Sequence, residues 1–297
     1  MKRGFTSSVD EYPVYRELVG CCFEREARFA IEVARCAVEI VLSVYRTSFD
    51  VKYKQGREPV TEADRRTNAW IVEQIRDAFP NDGVVAEESV QLGEALRQQV
   101  DLPRVWFVDP VDGTAEFVAR NGEFSVMIGL AQQGRPVMGV VAVPQTGELC
   151  LGIVGKGAWF VDEHNTFHPV QVSSTTSLND SVVVMSRSHG SQRLHDAIEA
   201  IGPRARLRCG SVGIKSMRLA TRQADIYMMM NERTGAKLWD GCAPEAIVIA
   251  AGGQCSDIFG EPINYATTTL PLQRGYVCTN GHLHALVLDR LRPLVAG

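Results

Sequence analysis

The sequence predicts a mixed α+β and α/β protein, on three observations. An amphipathic helical pattern opens the chain, closely spaced strand-like runs follow it, and beyond about Val172 strands and helices alternate. The helical pattern is carried by Leu18, Cys22, Phe29, Val33, Ala37, Ile40, Val41 and Val44, whose three- and four-residue steps predict one helix over about 14–44. Residues 52–59 are polar, hold Gly56 and Pro59, and read as a loop. Thr61 opens a second helix through Phe79, stopped by Pro80, Asn81 and Gly83.

Strand-like runs follow at 84–87, 105–109, 123–131, 136–143 and 148–154. The last three are linked by turn-like QQGRP and PQTG, and such short connections predict a largely antiparallel meander. In the second half the expected order is strand 181–186, helix 191–201, strand 206–209, helix 213–222, strand 225–230 and helix 242–251. The polar stretch 173–180 divides the chain into an N-terminal half, 1–172, and a C-terminal half, 173–297.

With 297 residues, 45% of them hydrophobic, the chain can bury one large core or two modest ones. A net charge of -4 argues against binding a nucleic acid polymer, which needs a basic face. A small anion remains a fitting ligand if positive groups are local or a metal supplies them. The first 18 residues lack the apolar core of a secretory signal, and no run of about 18 uncharged apolar residues predicts a membrane span. Cys21, Cys22, Cys36, Cys150, Cys209, Cys242, Cys255 and Cys278 are scattered without a CxxC pair. They are expected to be reduced, partly buried thiols in a cytoplasm.

Four segments place carboxylates at expected element ends: Asp64, Glu87 with Glu88, Asp109 with Asp112, and Asp240. Each also has a structural reading. Thr61 to Asp64 has capping-box spacing, Glu87 and Glu88 suit a solvated strand end, and Asp240 suits a helix N-cap. The run VWFVDPVDGT (105–114) is harder to explain so: a buried strand ends in acid, proline, apolar residue, acid, Gly113 and Thr114. Pro110 forces a turn that can direct both aspartates and the Val111 carbonyl to one side. Oxygen ligands of this kind suit a hard cation such as magnesium, with room left for phosphate. Gly113 allows close backbone approach, and amides after Thr114 would meet an anion.

These residues resemble the magnesium-dependent, lithium-sensitive phosphatase superfamily that includes inositol monophosphatases, fructose bisphosphatases and 3'(2'),5'-bisphosphate nucleotidases. PVTEAD (59–64), AEES (86–89), DPVDGT (109–114) and WDGCAPEA (239–246) ahead of AAGG (250–253) match in order across nearly the whole chain. The resemblance implies a layered α/β/α/β/α sandwich. It also implies two to three magnesium ions, held by Glu87, Asp109, the Val111 carbonyl, Asp112 and Asp240, with Asp64 reached through water. Asp64, Thr114 and Glu87 would be catalytic, Thr114 and Asp64 orienting and deprotonating an attacking water.

Within that superfamily, Arg120 to Phe124, Ser186 to His189 and Cys242 to Glu245 resemble the bisphosphate nucleotidase branch. Gly210, Ser211 and Lys215 form a Gly-rich helix start whose free amides and ammonium would suit a second phosphate. Substrate contacts are therefore expected at Gly113, Thr114, Ser188, His189, Gly210, Ser211, Lys215 and Asp240. Ser188 and His189 also have a reading as helix caps, and Lys215 as a solvated residue, but the agreement of several motifs favours substrate contact. Some branch members carry an arginine where this chain has Met228–Met230, so either Arg233 or Lys237 replaces that charge or the contact is missing. The implied reaction turns adenosine 3',5'-bisphosphate into AMP and phosphate, with an inositol monophosphatase as the alternative. A homodimer stays open.

Overall fold

A computed structural model of the protein describes residues 18–53, 59–162, 164, 166–188, 190–230 and 236–295. The opening apolar stripe forms α1 (Glu24–Tyr45), burying Ala27, Ala30, Ile31, Ala34, Ala37 and Val41. It begins later than the sequence suggested. Leu18–Gly20 form a separate turn, and the Gly20 amide donates to Glu24 Oε2 at 2.7 Å. Where a loop was expected, β1 (Lys52–Tyr53) and β2 (Pro59–Val60) pair antiparallel. Helix α2 (Glu62–Ala78) starts at the anticipated capping box.

A seven-stranded sheet follows, in the order β3 (Gly83–Ala86), β4 (Arg104–Asp112), β5 (Ser125–Gln132), β6 (Arg135–Ala142), β7 (Leu149–Ile153), β8 (Gly157–Val161) and β9 (Phe167–Val170). Only β3 and β4 run parallel; the rest is the expected antiparallel meander, two strands longer than the sequence suggested. Short helices α3 (Glu94–Val100) and α4 (Thr114–Val118) flank β4. The second sheet holds β10 (Val182–Ser186), β11 (Ala205–Cys209), β12 (Ile226–Met229), β13 (Gln254–Ser256) and β14 (Tyr276–Thr279), in the order β11-β10-β12-β14-β13. Its first three strands are parallel and the last two antiparallel additions. Interleaved are α5 (Gln192–Ile201), α6 (Val212–Ala220), α7 (Leu238–Ala250) and α8 (His284–Val295).

One core lies between α1, α2 and the first sheet, and another between the second sheet and α5, α8. Helices α6 and α7 fill the space between the sheets. That is the α/β/α/β/α sandwich the resemblance implied. A seam of glycines seats α7: Gly129, Gly139 and Gly152 stand side by side on β5, β6 and β7. A Cβ at any of them would come closer than 3.0 Å to the Cys242–Ile247 stretch of α7. The seam lets an almost wholly apolar helix lie flat on the sheet and brings its first turn to the end of β4.

Two expectations need correction. Helix α7 starts at Leu238, four residues before the expected position, so Asp240 is inside its first turn and is not the N-cap. Cys255 and Cys278, directly opposite on β13 and β14 with Cα atoms 4.3 Å apart, form a disulfide; the other six cysteines are thiols. Among the described residues no helix is long and apolar enough to cross a membrane.

Candidate active site

Strand β4 carries its apolar run into the core and then breaks. Asp109 faces Met127 and Asp112 faces Ser125, so three steps on β4 match two on β5. Pro110, without a donor, sits in this bulge, which re-aims the chain. The Val111 amide turns back to Asp109 Oδ1 at 3.0 Å. Gly113, at φ 91°, then reverses the chain into α4, and a Cβ there would meet the Glu123 carbonyl at 3.0 Å and the Ser211 amide nitrogen at 3.4 Å. The turn of the N-terminal half thus abuts the Gly210–Ser211 turn of the C-terminal half.

The Thr114 hydroxyl lies 3.1 Å from both Asp64 Oδ1 and the Val111 carbonyl. Asp64 is the third residue of α2, and its Oδ2 accepts from the Thr61 amide at 2.8 Å and hydroxyl at 2.6 Å. Capping and contact with Thr114 therefore occur together. Glu87 follows β3, its amide bonded to the Val108 carbonyl at 3.1 Å. The turn after it is held by Asn68, which accepts from the Glu88 amide at 3.2 Å and donates to Ser89 at 3.0 Å. Asp240 caps α7 through the Lys237 amide at 2.6 Å.

A cavity of about 430 Å³ collects these groups: Glu87, Asp109, Val111, Asp112, Gly113, Thr114 and Asp240 line it. Glu116, Ser186, Ser211, Lys215, Tyr227, Met228–Met230, Lys237 and Trp239 are also among its lining residues. Asp64 stands behind Thr114, outside the lining. Ser188 is exposed and donates to Glu116. His189 and Arg233 lie outside the described residues. A second depression, about 540 Å³, lies along α2 between Arg65 and Asp77 with Glu88 and Ser89 beside it, and contains none of the expected metal ligands or substrate contacts.

Burial and mutual repulsion dominate the electrostatics. Asp109 is pushed well above the usual carboxylate range by burial, then by Glu87, Asp112 and Asp240, and it shares a hydrogen bond with Asp240. Asp240 is pushed up to about 7 by burial, Glu87 and Asp112, against the opposing Lys237. Asp112 is raised by burial, with Lys215, Ser211 and the Gly213 amide opposing. Burial also raises Asp64 against its threonine hydrogen bonds. Such a cluster is relieved by protons or by a cation. An all-oxygen donor set fits magnesium, which keeps waters and takes few protein ligands. Among the described residues no three Asp, Glu, His or Cys groups are set together to hold a metal.

Three of the amides expected to be free at Gly210–Lys215 are engaged. Gly210 donates to Glu123 at 2.7 Å, Gly213 to Asp112 at 2.9 Å and Ile214 to Ser211 Oγ at 3.0 Å. Lys215 is not a solvated residue; it is 3% exposed and donates to the Ser211 carbonyl at 3.0 Å. Sequence reasoning missed Glu116 and Glu123. Glu123 takes two hydrogen bonds from Arg187, at 2.7 and 2.8 Å, fastening the end of β10 to the first half. The carboxylate inside the Arg120–Phe124 motif was the available signal.

Fold and site agree on a class of phosphatase: the chain belongs to the inositol monophosphatase family, which it matches over residues 24–296. It is 34% identical over 250 residues to the 3'(2'),5'-bisphosphate nucleotidase CysQ of Salmonella typhimurium, covering 84% of this chain and 97% of that one. It is 26% identical over 275 residues to the 3'(2'),5'-bisphosphate nucleotidase 1 of Dictyostelium discoideum, covering 80% and 86%. Among solved structures, the IMPase of Thermotoga maritima superposes with a TM-score of 0.76 at 25% identity, covering 92% of this chain and 98% of that one.

Proposed function

We propose that this phosphatase hydrolyses adenosine 3',5'-bisphosphate to AMP and phosphate and depends on magnesium. The observation that carries the reading is the mixed lining of one cavity. Glu87, Asp109, Val111, Asp112 and Asp240 share it with Lys237, Tyr227, Met228–Met230 and Trp239. The oxygen groups suit a cation and the phosphate to be cut. The aromatic and methionine side chains offer soft apolar surface, which a nucleobase can use and a polyol cannot. The relatives named bisphosphate nucleotidases support the same substrate.

Magnesium held by Glu87, Asp109, the Val111 carbonyl, Asp112 and Asp240 would neutralise phosphate charge and acidify water. The chain's own part is orientation and proton transfer. With its proton donated to Asp64, the Thr114 hydroxyl can accept from a water in the cavity, and Asp64 lies at the end of that proton path. Gly113 lets the turn approach the substrate closely. The solved inositol monophosphatases favour a second reading, an inositol phosphate substrate.

Phosphate release from adenosine 3',5'-bisphosphate, inositol 1-phosphate and fructose 1,6-bisphosphate, with magnesium and with chelator, separates the readings. The expected result is nucleotide hydrolysis that stops in chelator and returns with magnesium. Preference for inositol 1-phosphate would replace the nucleotide assignment, and full activity in chelator would remove the metal.

A further inference from the structure

Ser211 stands where the backbone favours glycine. Its φ of 51° and ψ of 129° lie in the left-handed half of conformational space, which a residue with a Cβ occupies only when its surroundings hold it there. Glycines occur at 210 and 213 but not at this position. The hydroxyl explains the serine, because all its capacity is used. Its proton goes to Asp112 Oδ2. Its acceptor side takes the Ile214 amide at 3.0 Å and faces the Ser125 hydroxyl at 2.9 Å. A hydroxyl has one donor and two acceptor positions, so none remains for a phosphate.

Asp112 Oδ2 also accepts from the Gly213 amide at 2.9 Å and lies 3.4 Å from the Ser125 hydroxyl. Among the described residues no hydrogen bond engages Oδ1, which leaves it for a ligand in the cavity. One turn along α6, Lys215 donates to the Ser211 carbonyl at 3.0 Å, with its ammonium 5.3 Å from the Tyr227 ring centre. The strained peptide is thereby held from its carbonyl side as well as through its side chain.

We propose that Ser211 is a positioning residue for Asp112, pinned by Lys215 in a strained conformation so that its hydroxyl aims that carboxylate into the cavity. This rests on the reading of Asp112 as a cation ligand. It gives Ser211 and Lys215 a different task from gripping a second phosphate.

Ser211→Gly is the direct test, because glycine accepts this backbone and the variant should fold with an equal or higher thermal midpoint in chelator. Calorimetric titration of magnesium into the resting protein should show affinity weakened about 10- to 100-fold, the usual range for losing a partner that orients a ligand. The magnesium concentration for half-maximal activity should rise in step. At saturating magnesium, KM for adenosine 3',5'-bisphosphate should hold within about twofold while kcat falls, and adenosine 3'-monophosphate should lose as much activity as the bisphosphate. Lys215→Met should likewise lose equally on both nucleotides. Unchanged magnesium affinity, with KM raised for the bisphosphate alone, would overturn the proposal and make these residues a phosphate grip. A wild-type protein that binds no divalent cation would fail the reading of the metal site itself, a result the same titration distinguishes.

Discussion

Helices α2 and α7 both begin with an aspartate at their third position, yet the two aspartates keep different company. Asp64 accepts from the Thr61 amide and hydroxyl on one oxygen and from Thr114 on the other. Asp240 has one such donor, the Lys237 amide, and shares its remaining hydrogen bond with another acid, Asp109. Both are raised by burial and by Glu87; two threonines oppose the rise at Asp64, whereas at Asp240 Asp112 adds to it and Lys237 opposes it. The same local motif therefore yields a carboxylate satisfied by hydroxyl and amide donors in one helix and a carboxylate set against another acid in the other, the environment expected of the proposed cation ligand.

The largest consequence falls on Asp240. Asp240→Asn should lower kcat by on the order of 10³-fold or more, because several kcal/mol of charge stabilisation goes with the lost cation ligand. In chelator its thermal midpoint should equal or exceed that of wild type, since one of the clustered charges is gone. Magnesium should raise the wild-type midpoint through binding to the folded state and raise that of the variant far less. Wild-type turnover in Asp240→Asn would erase the distinction between the two helix starts.

Asp64→Asn comes next. A cap alone would cost about 1 kcal/mol of stability or less and leave kcat intact. A proton acceptor behind Thr114 would cost roughly 10²-fold in kcat. The second outcome is expected, with Thr114→Ala showing a similar loss and Thr114→Ser, which keeps the hydroxyl, retaining most activity. Steady-state kinetics beside melting curves decide it, and an unchanged kcat returns Asp64 to structure.

These contrasts mark what was legible beforehand. The start of α2 could be read because threonine and an acid three residues on form a local signature. The start of α7 could not: Lys237 is no capping side chain, and Pro244, a first-turn residue by habit, sits at the seventh position of α7. Pro110 between two acids announced the bulge at the end of β4, since proline removes a ladder donor and is tolerated where pairing is irregular. The engaged amides of α6 were hidden, because the Gly213–Asp112 bond spans 101 residues. The Arg187–Glu123 pair, 64 residues apart, was hidden for the same reason. The Cys255–Cys278 pairing depends on the β13–β14 register, and neither strand had a readable pattern. Alternation within each half was local information; contact between the halves was not.

Helix α7 carries a second acid that sharpens the comparison, because Glu245 has burial without the cluster. It is wholly buried, accepts from the Tyr265 hydroxyl at 2.8 Å on Oε2, and leaves Oε1 without a hydrogen-bond partner. Burial pushes it from 4.5 to about 7, with the Tyr265 hydrogen bond and Arg135 opposing. Between those values the folded chain binds the extra proton and the unfolded chain does not. The stability it contributes is therefore full below about 4.5 and is lost as pH rises through about 7. Glu245→Gln resembles the protonated acid, so it should match wild type near pH 5. Near pH 8 it should be the more stable by on the order of 1–3 kcal/mol. Urea melts of both proteins across that range measure the gap, and kcat should not change because Glu245 does not line the cavity. Parallel stability curves would mean that Glu245 is ionised throughout, and that burial in α7 does not by itself raise a carboxylate as the contrast with Asp64 requires.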